Sequence, residues 1–266
     1  MNGSKNIGII GGAGWLGGAI AASLVKTGAI AENELVLSFR SRRPNALSNA
    51  FWTSDNQELA DRSDVVVISV RPDDWHGLAV DIEDKLLISV MAGISAEALC
   101  QRHGTRRVVR AIPNAAAEVA LSYTPWIASP EVSEEDKASV RTIFNACGVQ
   151  DEVENERQID YLTGLTGTGP AYPALLAFAM LQDARSYGLS EDVAVRAVNG
   201  VIIGAGGLLH SRPEHPQETL DAFLEYKGTT AAGLNTMMRR GLVDAVSDGL
   251  AAALEKTLSM GERPAE

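Results

Sequence analysis

Short runs of mostly apolar, largely β-branched residues at consecutive positions dominate the first half of this chain: Ile7–Ile10, then 35–39, 65–70, 86–90 and 107–111. Alternate residues of a strand point to opposite faces, so runs apolar at every position must be buried on both faces. The segments between them have helical composition, beginning with a small-residue stretch from Gly14 to about Thr27. Strand and helix in alternation predict an α/β fold with a Rossmann-type, doubly wound, mostly parallel sheet. Later strands are expected at 122–128 and 149–153 with a helix over 134–147 between them. Ser133 caps that helix, and Glu134, Glu135 and Asp136 suit its positive N-terminal end.

After about residue 155 the character changes, and Ala, Leu and Gly recur at helical spacing. Thr168-Gly-Pro170 predicts a cap and first turn for a helix running to about Tyr187. A second helix is expected over 191–209, a turn over 212–216, a helix through about Phe223, a break at Lys227-Gly228 and a helical tail over 244–259. Segments 171–181 and 193–209 are apolar around much of their circumference. A small isolated bundle would not bury that much surface, which predicts an all-helical dimerisation domain forming a homodimer or a higher homo-oligomer. The expected division is 1–155 for the sheet-bearing domain and 156–266 for the helical dimerisation domain.

The glycines say what the first domain binds. Gly12-Ala13-Gly14-Trp15-Leu16-Gly17 reads G-x-G-x-x-G, directly after an apolar strand and opening a helix, as a dinucleotide site requires. The first glycine permits the tight turn, the second lets backbone approach a pyrophosphate, and the third lets helix pack on strand. The free N–H groups of the helix attract phosphate. At the end of the second strand an NAD site would place an acid for the ribose hydroxyls. Here Ser38-Phe-Arg40-Ser41-Arg42-Arg43 carries three arginines and no acid, which predicts NADP(H) over NAD(H), because a guanidinium matches a 2′-phosphate in charge and donor geometry. Arg42 and Arg43 also fit the start of a solvated loop, and Trp15 either packs on the cofactor or covers apolar surface.

Composition narrows the remaining classes. A net charge of −11 lacks the basic footprint of a nucleic-acid binder. No uninterrupted apolar run approaches the roughly 20 residues of a membrane span, and residues 1–6 lack a charged-then-apolar leader, so no membrane partner and a cytoplasmic location are expected. Cys100 and Cys147 have no CxxC or Cys/His spacing and are expected to be reduced, buried and structural. His76, His103, His210 and His215 form neither a metal-like pair nor a triad, so no metal is expected. His215 before Pro216 fits a turn, Arg239-Arg240 a solvated helix end, and Tyr172 either a pocket wall or a core position.

Several segments, in order, resemble the pyrroline-5-carboxylate reductase family: Val70-Arg71-Pro72, Ser89-Val-Met-Ala-Gly93-Ile-Ser95, Arg110-Ala-Ile-Pro113-Asn114, Thr166-Gly-Thr168-Gly-Pro170-Ala-Tyr172, His215-Pro216 and Gly228-Thr-Thr230-Ala-Ala-Gly-Leu234. The resemblance implies a Rossmann domain followed by a helical dimerisation domain, and reduction of a cyclic imine, 1-pyrroline-5-carboxylate, to proline. It implies cofactor contacts from Gly12 to Gly17, Arg40, Ser41, Val70, Arg71, Pro72, Ala92, Gly93 and Asn114. Gly228, Thr229 and Thr230 would form a substrate loop facing the partner subunit's cofactor, with Thr230 beside the imine nitrogen and Thr168 in the matching upstream segment. Helix capping is a second use for Thr229 and Thr230.

The chain departs from that pattern in three places. Glu225-Tyr226-Lys227 stands where the family has Ser-Pro-Gly, Ala115 to Glu118 replaces Thr-Pro, and Gly11-Gly12 adds a residue to the glycine turn. A carboxylate about 4 Å from a substrate carboxylate would be repelled by roughly 4 kcal/mol at an effective dielectric near 20, so Glu225 turns away, or Lys227 compensates, or the substrate differs. Three alternatives therefore stay open: another imine or ketone-like substrate, a non-catalytic NADP(H)-binding regulatory dimer, or a hydroxy-acid dehydrogenase using Lys227.

Overall fold

The computed structural model describes residues 5–212 and 215–260, so Pro213 and Glu214 of the expected 212–216 turn lie outside the described residues. Among the described residues two compact units emerge, one of residues 5–168 with 252–260 and one within residues 169–251.

The first unit is an eight-stranded sheet. Its strands are β1 (Ile7–Ile10), β2 (Leu35–Ser38), β3 (Phe51–Thr53), β4 (Val65–Ile68), β5 (Leu86–Ser89), β6 (Val108–Ala111), β7 (Ser122–Ala128) and β8 (Gly148–Glu152), in the order β3-β2-β1-β4-β5-β6-β7-β8. All neighbours are parallel except β6 and β7, which run antiparallel. β3 went unpredicted because Phe51-Trp52-Thr53 is too short to set a period; it exists because Val36 to Ser38 offer it a ladder.

The consecutive apolar runs behave as their pattern requires. Ile7, Ile9, Leu35, Leu37, Val65, Val67, Leu86 and Ile88 pack into one core, with Ile20 and Leu24 of α1 (Trp15–Lys26). The alternate residues Ile10, Val36, Val66, Ile68 and Leu87 pack into the other, with Leu59 of α2 (Asn56–Asp61), Trp75 of α3 (Pro72–Trp75) and Leu99 of α4 (Ala96–His103). Each fully buried aliphatic side chain contributes about 1.5–3 kcal/mol. α5 (Glu134–Cys147) adds Val140, Ile143 and Phe144 to the first core, and Ser133 caps it through the Asp136 N–H at 3.1 Å. Cys147 is buried, which pushes its thiol up to about 11; Cys100 is only half-buried, against the expectation for it, because it borders a surface cavity lined by Glu97, Arg106 and Glu131. Neither is in a disulfide.

His103 closes α4 and is 1% exposed. Its Nε2 accepts from Trp75 Nε1–H at 2.9 Å, so the ring proton sits on Nδ1 and points to Val80 O at 2.8 Å. Burial lowers the pKa; the Val80 carbonyl opposes this and Arg102 adds to it. The unfolded chain therefore takes up the proton first, and the stability held by the neutral ring is present above the ordinary histidine value and lost as pH falls below it. The slope is at most about 1.4 kcal/mol per pH unit. We expect the urea midpoint to fall between about pH 7 and about pH 5, less steeply in His103→Gln; equal slopes would exclude His103 as the cause.

α6 (Glu156–Leu162) ends the sheet-bearing segment. The second unit is built from α7 (Ala171–Ser186), α8 (Glu191–Ser211), α9 (Pro216–Glu225), α10 (Thr229–Arg239) and the start of α11 (Leu242–Met260). α7 buries no residue and α8 only Ala194 and Val198, while Leu175, Phe178, Val201 and Ile203 stand exposed. By length and mean hydropathy α8 alone among the described helices passes as a membrane span. Glu191, Asp192, Arg196 and Asn199 interrupt it. His215 caps α9, accepting from the Gln217 N–H at 3.2 Å, and Arg239 ends α10 exposed.

Candidate functional site

β1 delivers the chain into the glycine loop at the C-terminal edge of the sheet. The left-handed residue there is Gly11, at φ +83°, and not Gly12 as the motif implied. The extra residue moves the turn back one position, and a Cβ on Gly11 would stand 2.5 Å from Ser69 O. Gly17 does have its assigned role, since a Cβ there would meet Gly11 O at 2.5 Å. Ser38, a polar residue ending an otherwise apolar strand, organises the loop: its Oγ accepts from Gly11 N–H at 3.0 Å and its carbonyl from Ala13 N–H at 3.1 Å. That signal was visible in the sequence, but Ser38 was not expected at the site. Gly14 caps α1 without a side chain, and Gly18 is the first residue of α1 whose N–H reaches back to Gly14 O at 2.9 Å. The N–H groups of Trp15, Leu16 and Gly17 precede the helical ladder and are open to an anion, with no acid in the first turn.

The order of strands reverses between β1 and β4, and a crevice opens at such a point. On one wall, past β2, Arg40, Ser41 and Arg42 are exposed; Arg40 Nη1 lies 3.4 Å from Asp74 Oδ1, and Arg43 donates to Ser48 O at 3.2 Å. On the other, Val70 is half-buried, Arg71 is the exposed N-cap of α3 and Pro72 is its first residue. Ala92 and Gly93, at φ +76°, follow β5. Thus the structure brings the predicted cofactor residues of β1, β2, β4 and β5 to one sheet edge. The Trp15 indole donates to Glu118 Oε1 and is 69% exposed, so it covers no core. A glycine-rich loop, open helical N–H groups and exposed arginines with no acid ending β2 fit a dinucleotide carrying a 2′-phosphate.

Asn114, after β6, is buried and its side chain is engaged: Nδ2 donates to Thr166 O at 2.9 Å and Oδ1 accepts from Ala116 N–H at 2.9 Å. It thereby joins β6 to residues 163–167, which form one turn of π-helix. Thr163 and Thr166 donate to carbonyls four residues back, both at 2.9 Å, and Thr168 likewise to Gly164 O. Such back-bonding bends helices. Thr168 is therefore not the predicted cap of α7, whose N-cap is the helical Pro170. The hydroxyl is drawn backward because the preceding helix does not stop. Arg110 of β6, 2% exposed, pairs with Glu156 at 3.0 Å and Asp160 at 2.8 Å, anchoring α6 beneath that turn. It was quoted only as a motif residue; no local pattern reveals partners about 50 positions away.

The remaining predicted residues form their own cluster in the second unit. Glu225 ends α9, Tyr226 is 84% exposed, and Lys227 is left-handed at φ +51°. Lysine thus holds a left-handed backbone that glycine would adopt freely, at a cost of roughly 1–2 kcal/mol. Gly228 is the N-cap of α10 with no side-chain cap, and Thr229 and Thr230 are its first two residues. Their hydroxyls are not consumed in capping, and their backbone N–H groups are open to an anion. Among the described residues no cluster of His, Cys, Asp or Glu could hold a metal ion.

Residues 156–260 match the family model described as pyrroline-5-carboxylate reductase dimerisation. Residues 6–93, which hold every first-unit cofactor candidate except Asn114, match one described as NADP oxidoreductase coenzyme F420-dependent. Over 268 residues the chain is 30% identical to a pyrroline-5-carboxylate reductase of a Synechocystis species, covering 98% of this chain and 100% of that one. The Vibrio alginolyticus pyrroline-5-carboxylate reductase is 33% identical over 259 residues, 94% of this chain and 95% of its own. Among solved structures, the Plasmodium falciparum pyrroline carboxylate reductase with NADP bound gives a TM-score of 0.86 at 27% identity, covering 97% of this chain and 98% of that one.

Proposed function

Because the chain belongs to the pyrroline-5-carboxylate reductase family, we infer that it is an NADP(H)-dependent oxidoreductase that reduces 1-pyrroline-5-carboxylate to L-proline. The observation that carries this is agreement, end to end, between the relatives and a sheet edge whose glycines and arginines suit NADP(H). The chain acts as a homo-oligomer, and the dimerisation model spans the helices whose apolar faces one copy leaves open. We assign residues 1–155 to cofactor binding and 156–266 to dimerisation and substrate binding, and place the enzyme in the cytoplasm.

Bound NADPH supplies the hydride; the protein orients the imine and manages one proton. In our assignment Gly12, Ala13, Gly14, Trp15, Leu16 and Gly17 receive the pyrophosphate, and Arg40, Ser41 and Arg42 receive the 2′-phosphate. Val70, Arg71, Pro72, Ala92 and Gly93 line the remainder, with Asn114 holding the floor through Thr166. The open N–H groups of Gly228, Thr229 and Thr230 take the substrate carboxylate, with Lys227 offsetting the charge of Glu225. Thr168 is assigned to the substrate from its place in the matching segment 166–172. A threonine hydroxyl is a poor acid, and an imine is protonated near neutral pH, so Thr230 Oγ1 acts by orienting the protonated nitrogen rather than by supplying its proton.

NADPH oxidation by purified protein supplied with 1-pyrroline-5-carboxylate, with NADH in parallel, tests the reading. Rapid turnover preferring NADPH is expected. Thr230→Ala should lower kcat by about 10- to 100-fold and leave NADPH affinity unchanged, while Thr230→Ser stays within a few-fold. Tight NADPH binding with no turnover on this substrate would sink the assignment and turn the search to other imines.

A further inference from the structure

We propose that Asp74 is a determinant of cofactor choice, because it competes with the 2′-phosphate of NADP(H) for Arg40; this rests on the sheet edge described above being the NADP(H) site. β2 and β4 are the two neighbours of β1. Arg40, two residues past β2, and Asp74, in the helical turn after β4, therefore stand on opposite sides of the glycine loop. They meet through one contact, Arg40 Nη1 to Asp74 Oδ1 at 3.4 Å. The arginine side chain is 86% exposed and the aspartate 48%, so the pair is weak and exchanges readily. Among the described residues Asp74 is the one acidic partner of Arg40.

A 2′-phosphate carries more charge than a carboxylate and accepts two parallel bonds from a guanidinium, so it takes Arg40 from Asp74. Asp74 is then left as an unpaired carboxylate beside the incoming phosphate. NAD(H) brings no 2′-phosphate, leaves the ion pair in place, and meets no such repulsion. Asp74 thus narrows the preference that the arginines create. Arg42 remains available to phosphate throughout, since among the described residues it has no ion-pair partner. Asp73, the preceding residue in the same first turn, is exposed and unpaired among the described residues, which makes it the matched control for bulk charge.

The dissociation constants of NADP+ and NAD+ for the full chain, measured by calorimetry at low salt, test this in the parent, Asp74→Asn and Asp73→Asn. Asp74→Asn is expected to tighten NADP+ about five-fold and to leave NAD+ within about two-fold, with Asp73→Asn within about two-fold for both. Raising the salt to about 0.5 M should erase most of the gain. Equal shifts for both dinucleotides, equal effects of the two substitutions, or weaker NADP+ binding in Asp74→Asn would each overturn the inference. A parent that binds NADP+ with an unresponsive Asp74→Asn sinks Asp74 alone; a parent that binds neither dinucleotide sinks the site assignment with it.

Discussion

Gly17→Ala is expected to weaken dinucleotide binding by about 100-fold or more, about 2.7 kcal/mol, while the far-ultraviolet circular dichroism stays close to that of the parent. The added Cβ would stand 2.5 Å from Gly11 O, 3.0 Å from Gly11 C and 3.3 Å from Gly12 Cα. All three are backbone atoms, so no side-chain rotation relieves the clash. Either α1 slides outward, disturbing Ile20, Ala21 and Leu24 in the core, or the loop lifts from β1. In both cases the open N–H groups of residues 15–17 leave the place where they face a pyrophosphate. Gly18→Ala is the control, because its Cβ would approach only Gly12 O, at 3.3 Å, which a small shift accommodates. NADPH affinity of Gly17→Ala within about three-fold of the parent, by titration calorimetry, would show that this loop is not the phosphate cradle.

Arg110→Met is expected to cost about 3 kcal/mol of stability, read as a lowered urea midpoint. Removing one partner of a buried ion pair costs about 3–5 kcal/mol, because the other charge is left uncompensated. The lower end applies here, since Glu156 is 41% exposed and water screens it, whereas Asp160 at 18% is the partner stranded. Arg110 Nε has no hydrogen-bond partner among the described residues, so the native arrangement already carries one unmet donor and is less favourable than a fully satisfied fork. Adding Asp160→Asn to Arg110→Met should recover a substantial part of the loss. A single-variant effect below about 1 kcal/mol, or no recovery in the double variant, would show that the pair does not anchor α6. Because Asn114 ties β6 to the π-turn that follows α6, loosening α6 should also raise the KM for substrate before the fold melts.

How far the sequence reached can be read from particular residues. The consecutive apolar strands had one physical solution, and Ile9 and Ile10 entering opposite cores shows why: neither face of β1 tolerates water. The arginines at 40–43 were equally legible, because the choice between an acid and a cation at a strand end is a local electrostatic matter. Thr168 was misjudged as a cap because Thr-Gly-Pro in isolation looks like a helix start; only the carbonyl of Gly164, presented by a helix that runs on, redirects its hydroxyl. Gly12 was given the turn that belongs to Gly11, since the motif counts residues and the backbone answers to the Ser69 carbonyl one strand away.

What the sequence determined by itself is therefore whatever depends on period, on local charge or on ordered motifs: the doubly wound sheet, the change to helices near residue 155, the glycine cradle, the leaning toward a phosphorylated cofactor and the family. Tertiary structure alone decided the pairing of Arg110 with Asp160, the grip of Ser38 on the glycine loop, the hydrogen bonds that engage Asn114, and the contact between Arg40 and Asp74. Ser38 meets Gly11 and Arg40 meets Asp74 because the parallel strands β1, β2 and β4 carry their C-terminal ends to one edge. Arg110 meets Asp160 and Asn114 meets Thr166, 50 and 52 positions on, only because the chain returns past β6 after β8. Local propensity fixes the strands one by one, but the meeting of their ends follows from how the sheet is ordered, and no window of sequence contains that order.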